Sequence, residues 1–112
     1  MRVKKEALDN CTSGLEFKLR LENDNSVTYS INKNGDYQGV ISFRDYGYSS
    51  NTSDSNINVI GLFLNKIKTG LGTEILDIIC KCGEYLKASN VVIWHPDTER
   101  ITRYDSKGKK RI

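Results

Sequence analysis

Apolar and polar residues alternate with a period of two from the fifteenth position onward. Leu15, Phe17, Leu19 and Leu21 fall on one side, and Glu16, Lys18, Arg20 and Glu22 on the other. A strand that covers a core with one face has this pattern. After the turn signal Asn23-Asp24-Asn25, the residues Val27, Tyr29 and Ile31 repeat the alternation against Thr28, Ser30 and Asn32. Asn34-Gly35 then marks a hairpin, because both central positions of its tight turn need positive φ. Tyr37 to Phe43 reads as a third strand, with Gly39 as a bulge position. Three short runs separated by turns predict an antiparallel meander. Ahead of it, residues 1–13 lack a clean period and are expected to form a flexible arm or a short helix. Residues 14–112 are expected to form one domain, since a chain of this length supports a single core.

Arg44 to Asn56 is rich in serine and asparagine and has no period, which predicts a long loop. The character of the chain changes after it. Val59-Ile60-Gly61-Leu62-Phe63-Leu64 is a continuous apolar run, as for a strand buried on both faces. A glycine-containing turn follows, and then Ile75, Leu76, Ile79, Cys82 and Leu86 recur at helical spacing. Asn90 to Trp94 reads as a second buried strand, and Pro96 as the opening of a short helix that runs to about Lys107 and closes at Gly108. Lys109 to Ile112 begins a last strand. The fold class is therefore α/β, with α and β mixed: an antiparallel meander followed by a βαβα unit whose two strands are parallel neighbours.

Composition narrows the setting. No run approaches the ~18 apolar residues of a membrane span, and the N-terminus has no apolar stretch of a signal peptide. Three cysteines, Cys11, Cys80 and Cys82, argue against a disulfide framework and for a reducing, cytoplasmic setting. The net charge of +3 owes much to Lys107, Lys109, Lys110 and Arg111 near the end, which reads as a solvated tail. Few aromatics interleave with those lysines, so nucleic acid binding through base stacking has little support.

The segment with the clearest chemistry is Thr69-Gly70-Leu71-Gly72-Thr73, between a strand and a helix. Glycines let main-chain N–H groups approach a ligand, and the first helical turn leaves those groups unpaired beside a partial positive charge. Lys66 and Lys68 add cationic side chains. Such a turn suits a pyrophosphate. It is neither a dinucleotide-binding nor a P-loop motif, because Ile75 stands where a third glycine would fall and no Gly-Lys-Ser/Thr is present.

Val59 through Ile112 resembles the second half of the GNAT superfamily of N-acetyltransferases. Ile67-Lys68-Thr69-Gly70-Leu71-Gly72 is similar to the family's [Arg/Gln]-x-x-Gly-x-[Gly/Ala] motif, with Ile67 at the Arg/Gln position. Asp97, Arg100, Tyr104 and Gly108 resemble a second signature, Asn-x-x-Ala-x-x-x-Tyr-x-x-x-Gly-Phe, with Lys109 at the final place. The resemblance implies acetyl-CoA as co-substrate. Lys68, Thr69, Gly70, Leu71, Gly72 and Thr73 would hold its pyrophosphate, with Asp97 also on the cofactor side. Leu62, Phe63 and Leu64 would line the splay where the pantetheine arm lies, and a main-chain N–H around Phe63 to Asn65 would stabilise the tetrahedral oxyanion. The resemblance makes Tyr104 the expected general acid. His95 is the foremost candidate base, with Asp54 and Asp45 weaker ones.

The family inserts two helices between its first two strands, and the tight turn from Leu21 to Val27 leaves no room for them. The open wall favours a protein or peptide amine as acceptor, with Tyr46 and Tyr48 able to contact it. Ile67 and the missing base leave a second reading open, a catalytically inactive member of the fold serving as an interaction module or inhibitor. The short final edge leaves room for pairing with a second copy.

Overall fold

The computed structural model describes residues 2–12, 14–45, 56–65, 70–86, 88, 90–95, 100–105 and 110–111; within the last two ranges only Tyr104 has a described side chain, and His95 is described by its backbone. The elements are α1 (Lys5–Cys11), β1 (Leu15–Glu22), β2 (Ser26–Lys33), β3 (Asp36–Arg44), β4 (Asn56–Leu64), α2 (Leu71–Tyr85), β5 (Asn90–His95), β6 (Arg100–Asp105) and β7 (Lys110–Arg111). The seven strands form one sheet in chain order. Only β4 and β5 run parallel, joined through α2; every other neighbouring pair is antiparallel.

The meander forms as its alternation predicts. Val27, Tyr29, Ile31, Ile41 and Phe43 are buried on the face that carries the helices. Tyr29 and Phe43 meet edge to face with ring centroids 6.3 Å apart. The Tyr29 hydroxyl donates to the Val3 carbonyl at 2.7 Å, which ties the N-terminal segment to the core. Burial raises its pKa to about 12. The Asn34-Gly35 turn has φ of 54° and 84°, the two left-handed residues a tight hairpin needs.

Both helices pack on one face of this sheet and on each other, and a single apolar core joins them to it. Leu71, Ile75, Ile78, Ile79 and Cys82 of α2 point inward at steps of four, three, one and three. Fully burying each such side chain stabilises the fold by ~1.5–3 kcal/mol. The helix ends where Leu86 donates to the Cys82 carbonyl at 2.9 Å and Ala88 to the Gly83 carbonyl at 2.7 Å. Among the described residues the opposite face carries no helix. This is the open face of the sheet.

Four expectations from the sequence are corrected. The helix expected from Pro96 to Lys107 is, where described, strand β6, paired with β5 from Asn90↔Asp105 to His95↔Arg100. Ile101, Thr102 and Tyr104 are good strand formers, and an unpaired β5 edge supplies hydrogen bonds that an isolated short helix lacks. The last unit is thus βαβ followed by β. Second, β4 is not buried on both faces: Ile57 and Val59 are fully buried, whereas Phe63 is 61% exposed. Among the described residues no helix lies over the open face. Third, Trp94 of β5 stands on that face and is half exposed for the same reason. Fourth, Leu19 and Leu21 are more than half exposed. The β1–β2 register slips at Arg20, so Leu21 lies opposite Thr28 and Glu22 opposite Val27. For Leu21 that slip is the cause, since a shift of one residue moves a side chain to the other face; Leu19, still in register opposite Tyr29, is exposed on the edge strand of the sheet.

Candidate functional site

β4 and β5 pair only from Asn56↔Asn90 to Val59↔Ile93. Beyond that point β4 continues to Leu64 and β5 to His95 without joining each other. The cause is visible in the ladder on the other side of β4. Phe43 lies opposite Val59 and Ser42 opposite Gly61, so Ile60 is an extra residue without a ladder partner. A bulge of this kind bends and twists the strand that carries it. Here it stands at the position where β4 leaves β5, and the two strands splay.

The second half of β4 is therefore paired on one side only, and antiparallel alternation says which main-chain groups are left over. Asn65 donates to the Gln38 carbonyl at 2.8 Å, so the residues at 61, 63 and 65 turn their main chain toward β3. Leu62 and Leu64, in between, turn theirs toward the gap. Of the expected triad, Leu62 and Leu64 thus face the splay through their backbone, while Phe63 faces β3. Gly39 lets the two strands close here: its φ is +153°, and a Cβ on it would fall 1.9 Å from the Phe63 carbonyl oxygen.

The N-terminus of α2 stands at the same end of the sheet. Gly70 caps it in the left-handed conformation at φ 79°, ψ −3°, with no side-chain cap. Glu74 donates to the Gly70 carbonyl at 3.1 Å. Among the described residues nothing accepts from the amides of Leu71, Gly72 or Thr73. A Cβ on Gly70 would meet nothing within 4 Å, and one on Gly72 would only just reach the Leu64 side chain at 4.0 Å. Among the described residues the helix start is thus uncovered, and it adjoins the end of β4. Glu74 would oppose an anion there, but it pairs with Lys33 at 3.3 Å.

A cavity of about 370 Å³ is lined by Arg44, Asn58, Val59, Ile60, Val92 and Trp94. It lies where the strands begin to part. Arg44, Asn58 and Val92 stand side by side across β3, β4 and β5 on the open face, and Ile60 and Trp94 follow one step further along. None of these residues was expected at a site from the sequence, because the row exists only once three strands are in register.

Of the remaining expected residues, Tyr104 is not brought to this place. Tyr104 lies opposite Val91 and packs partly buried against the core on the helix face, two positions before the gap opens. The general acid expected on a helix is thus a strand residue away from the splay. His95 ends β5 opposite Arg100, at the parted end of the strand. Lys68, Thr69 and Asp97 lie outside the described residues, as do Tyr46, Tyr48 and Asp54. Asp45 is committed elsewhere: Arg2 holds both its oxygens, at 2.7 and 2.9 Å, and keeps its pKa below the usual carboxylate value. Burial pushes the thiol of Cys11 up and that of Cys82 to about 12. No group of three or more metal-ligating side chains occurs among the described residues, and no described helix is long and apolar enough to cross a membrane.

Neither a family model nor a curated protein matches the sequence. Solved structures do. A ribosomal-protein-alanine N-acetyltransferase from Brucella melitensis biovar Abortus 2308 is similar at a TM-score of 0.55 and 16% identity, over 65% of this chain and 54% of that one. An aminoglycoside acetyltransferase from an uncultured soil metagenomic sample is similar at 0.54 and 17%, over 65% and 49%. The chain shares the fold of these two acetyltransferases over about two thirds of its length. The likeness is one of fold, and the chain spans about half the length of the acetyltransferases it matches.

Proposed function

We propose that this protein is an acyl-CoA-dependent N-acetyltransferase acting on the amine of a protein or peptide. The observation that carries the reading is the gap between β4 and β5, which opens beyond Val59 and Ile93 beside an uncapped helix start. A pantetheine arm has two amides, and the main chain of Leu62 and Leu64 offers them an edge to pair with, as an added strand would use it. The amides of Leu71, Gly72 and Thr73 then take the pyrophosphate.

In the transfer, the neutral amine adds to the thioester carbonyl carbon. The C–N bond forms, and the carbonyl π pair moves onto oxygen. The Leu62 or Leu64 N–H aimed into the gap stabilises that charge, a contribution of several kcal/mol in a dry site. Collapse of the adduct breaks the C–S bond. The amine's proton passes to His95 at the end of β5, and the thiolate is protonated from solvent through the open face. Tyr104 has no part in these steps, and Tyr104→Phe is expected to change turnover by less than about twofold.

Calorimetric titration with acetyl-CoA tests the reading. Wild-type protein is expected to bind, and Gly72→Glu to bind at least about tenfold more weakly, because a carboxylate in the first turn stabilises the helix but repels a phosphate. Absence of heat at millimolar acetyl-CoA would remove the proposal. The placement of Tyr104 away from the gap favours one alternative, an inactive member of the fold that works as an interaction module. Binding without turnover on any amine would select it.

A further inference from the structure

The cavity on the open face has a chemistry of its own. Among the described residues its charged group is Arg44, and none of its lining side chains is acidic. Among the described residues no carboxylate comes within ion-pair distance of Arg44: Asp45 and Glu22 are taken by Arg2, and Glu16 by Lys18. Asn58 donates one amide hydrogen to the Asn56 carbonyl at 3.4 Å and keeps the other. Ile60, Val92 and the half-exposed indole of Trp94 form the apolar remainder of the lining. Arg103 occupies the next register position beyond Val92. A volume of about 370 Å³ admits a group of amino-acid size.

A guanidinium fork beside an amide donor is built for a carboxylate, which it can hold with two parallel hydrogen bonds. A polycationic amine would instead meet a like charge. We propose that this cavity binds the carboxylate of the acceptor, so that the enzyme acetylates amines carrying a nearby carboxylate, with Arg44 and Asn58 holding the anion and Trp94 the carbon skeleton. This assignment rests on the acetyltransferase reading for the word acceptor, but the anion site itself does not. The carboxylate has two possible sources, an acidic side chain following a peptide's amino terminus or the α-carboxylate of a free amino acid.

Two measurements test it. The first compares kcat/KM, with acetyl-CoA, for Ala-Glu and Ala-Gln amino-terminal peptides ending in amides, and for free alanine and alaninamide. At least a tenfold preference for the carboxylate member of one pair is expected, and the pair that shows it names the source. Arg44→Gln should bring that ratio to near one, Arg44→Lys should retain part of it, and neither should alter acetyl-CoA affinity. Equal rates within both pairs, or a preference that survives Arg44→Gln, would overturn the proposal. The second needs no turnover. The chain has one tryptophan, so its indole N–H gives a single resonance. Titration with N-acetylglutamate should shift that resonance and N-acetylglutamine amide should not, and Arg44→Gln should abolish the shift. Failure to bind acetyl-CoA together with this indole response would sink the transferase reading and keep the anion site. No indole response to either probe sinks the site.

Discussion

The two halves of β4 are a controlled comparison within one strand. From Asn56 to Val59 the strand is paired on both sides, and Ile57 and Val59 are fully buried. From Gly61 to Leu64 it is paired with β3 alone, and Leu62 and Phe63 are exposed. One bulged residue, Ile60, separates the halves. The first half is scaffold, and the second is an edge inside a sheet, with main-chain groups available to a ligand. The exposed half, Gly61-Leu62-Phe63-Leu64, is the more apolar of the two, so hydrophobicity does not mark which half is buried. Pairing does.

The comparison breaks first on core energetics. Ile57→Ala is expected to cost about 3 kcal/mol in urea unfolding, as for other large-to-small core substitutions. Phe63→Ala, six residues on, should stay within about 0.5 kcal/mol, as surface changes do. Similar losses at both sites would mean that the second half is buried after all. Gly39→Ala comes next, at about 2 kcal/mol, because its Cβ would collide with the Phe63 carbonyl and its φ disfavours a side chain. A neutral result would show that β3 and β4 do not close as tightly as the bulged ladder implies.

Amide hydrogen exchange sharpens the contrast at single residues. Leu62 and Leu64 should exchange at least about tenfold faster than Phe63, equivalent to about 1.4 kcal/mol of protection. Saturating acetyl-CoA should slow the first two and leave Phe63 unchanged. The smallest effect is far from the gap, at the Arg2–Asp45 contact. Asp45 has its pKa lowered by the Arg2 guanidinium, so its contribution is present above the unfolded value of 3.8 and is lost as pH falls through the folded one. Arg2→Ala should therefore lower the melting temperature by a few degrees at pH 7 and make no difference in strong acid. An equal deficit at both pH values would show that Arg2 acts through packing alone.

Much of this architecture could be read from the chain because local chemistry and tertiary context agree. The β2 alternation, the Asn34-Gly35 turn and the inward stripe of α2 each satisfy a local rule and a global one together. The glycine turn before α2 was legible for the same reason, since Gly70 needs its left-handed conformation before any ligand is considered. The stretch Arg100–Asp105 was not legible. Its six residues suit a strand or a short helix, and the free edge of β5 chose between them. With that choice the register moved Tyr104 from an expected helix to the helix face of the sheet.

The sequence by itself determined the strands and turns of the meander, the helix α2 and the glycine turn before it, because each is set by side chains within a few positions of one another. Tertiary structure alone decided the splay, the two leucines whose backbone faces it, and the row of Arg44, Asn58 and Val92. Those features depend on where one bulge falls in a ladder between distant segments. A one-residue slip changes which atoms meet without changing any local pattern.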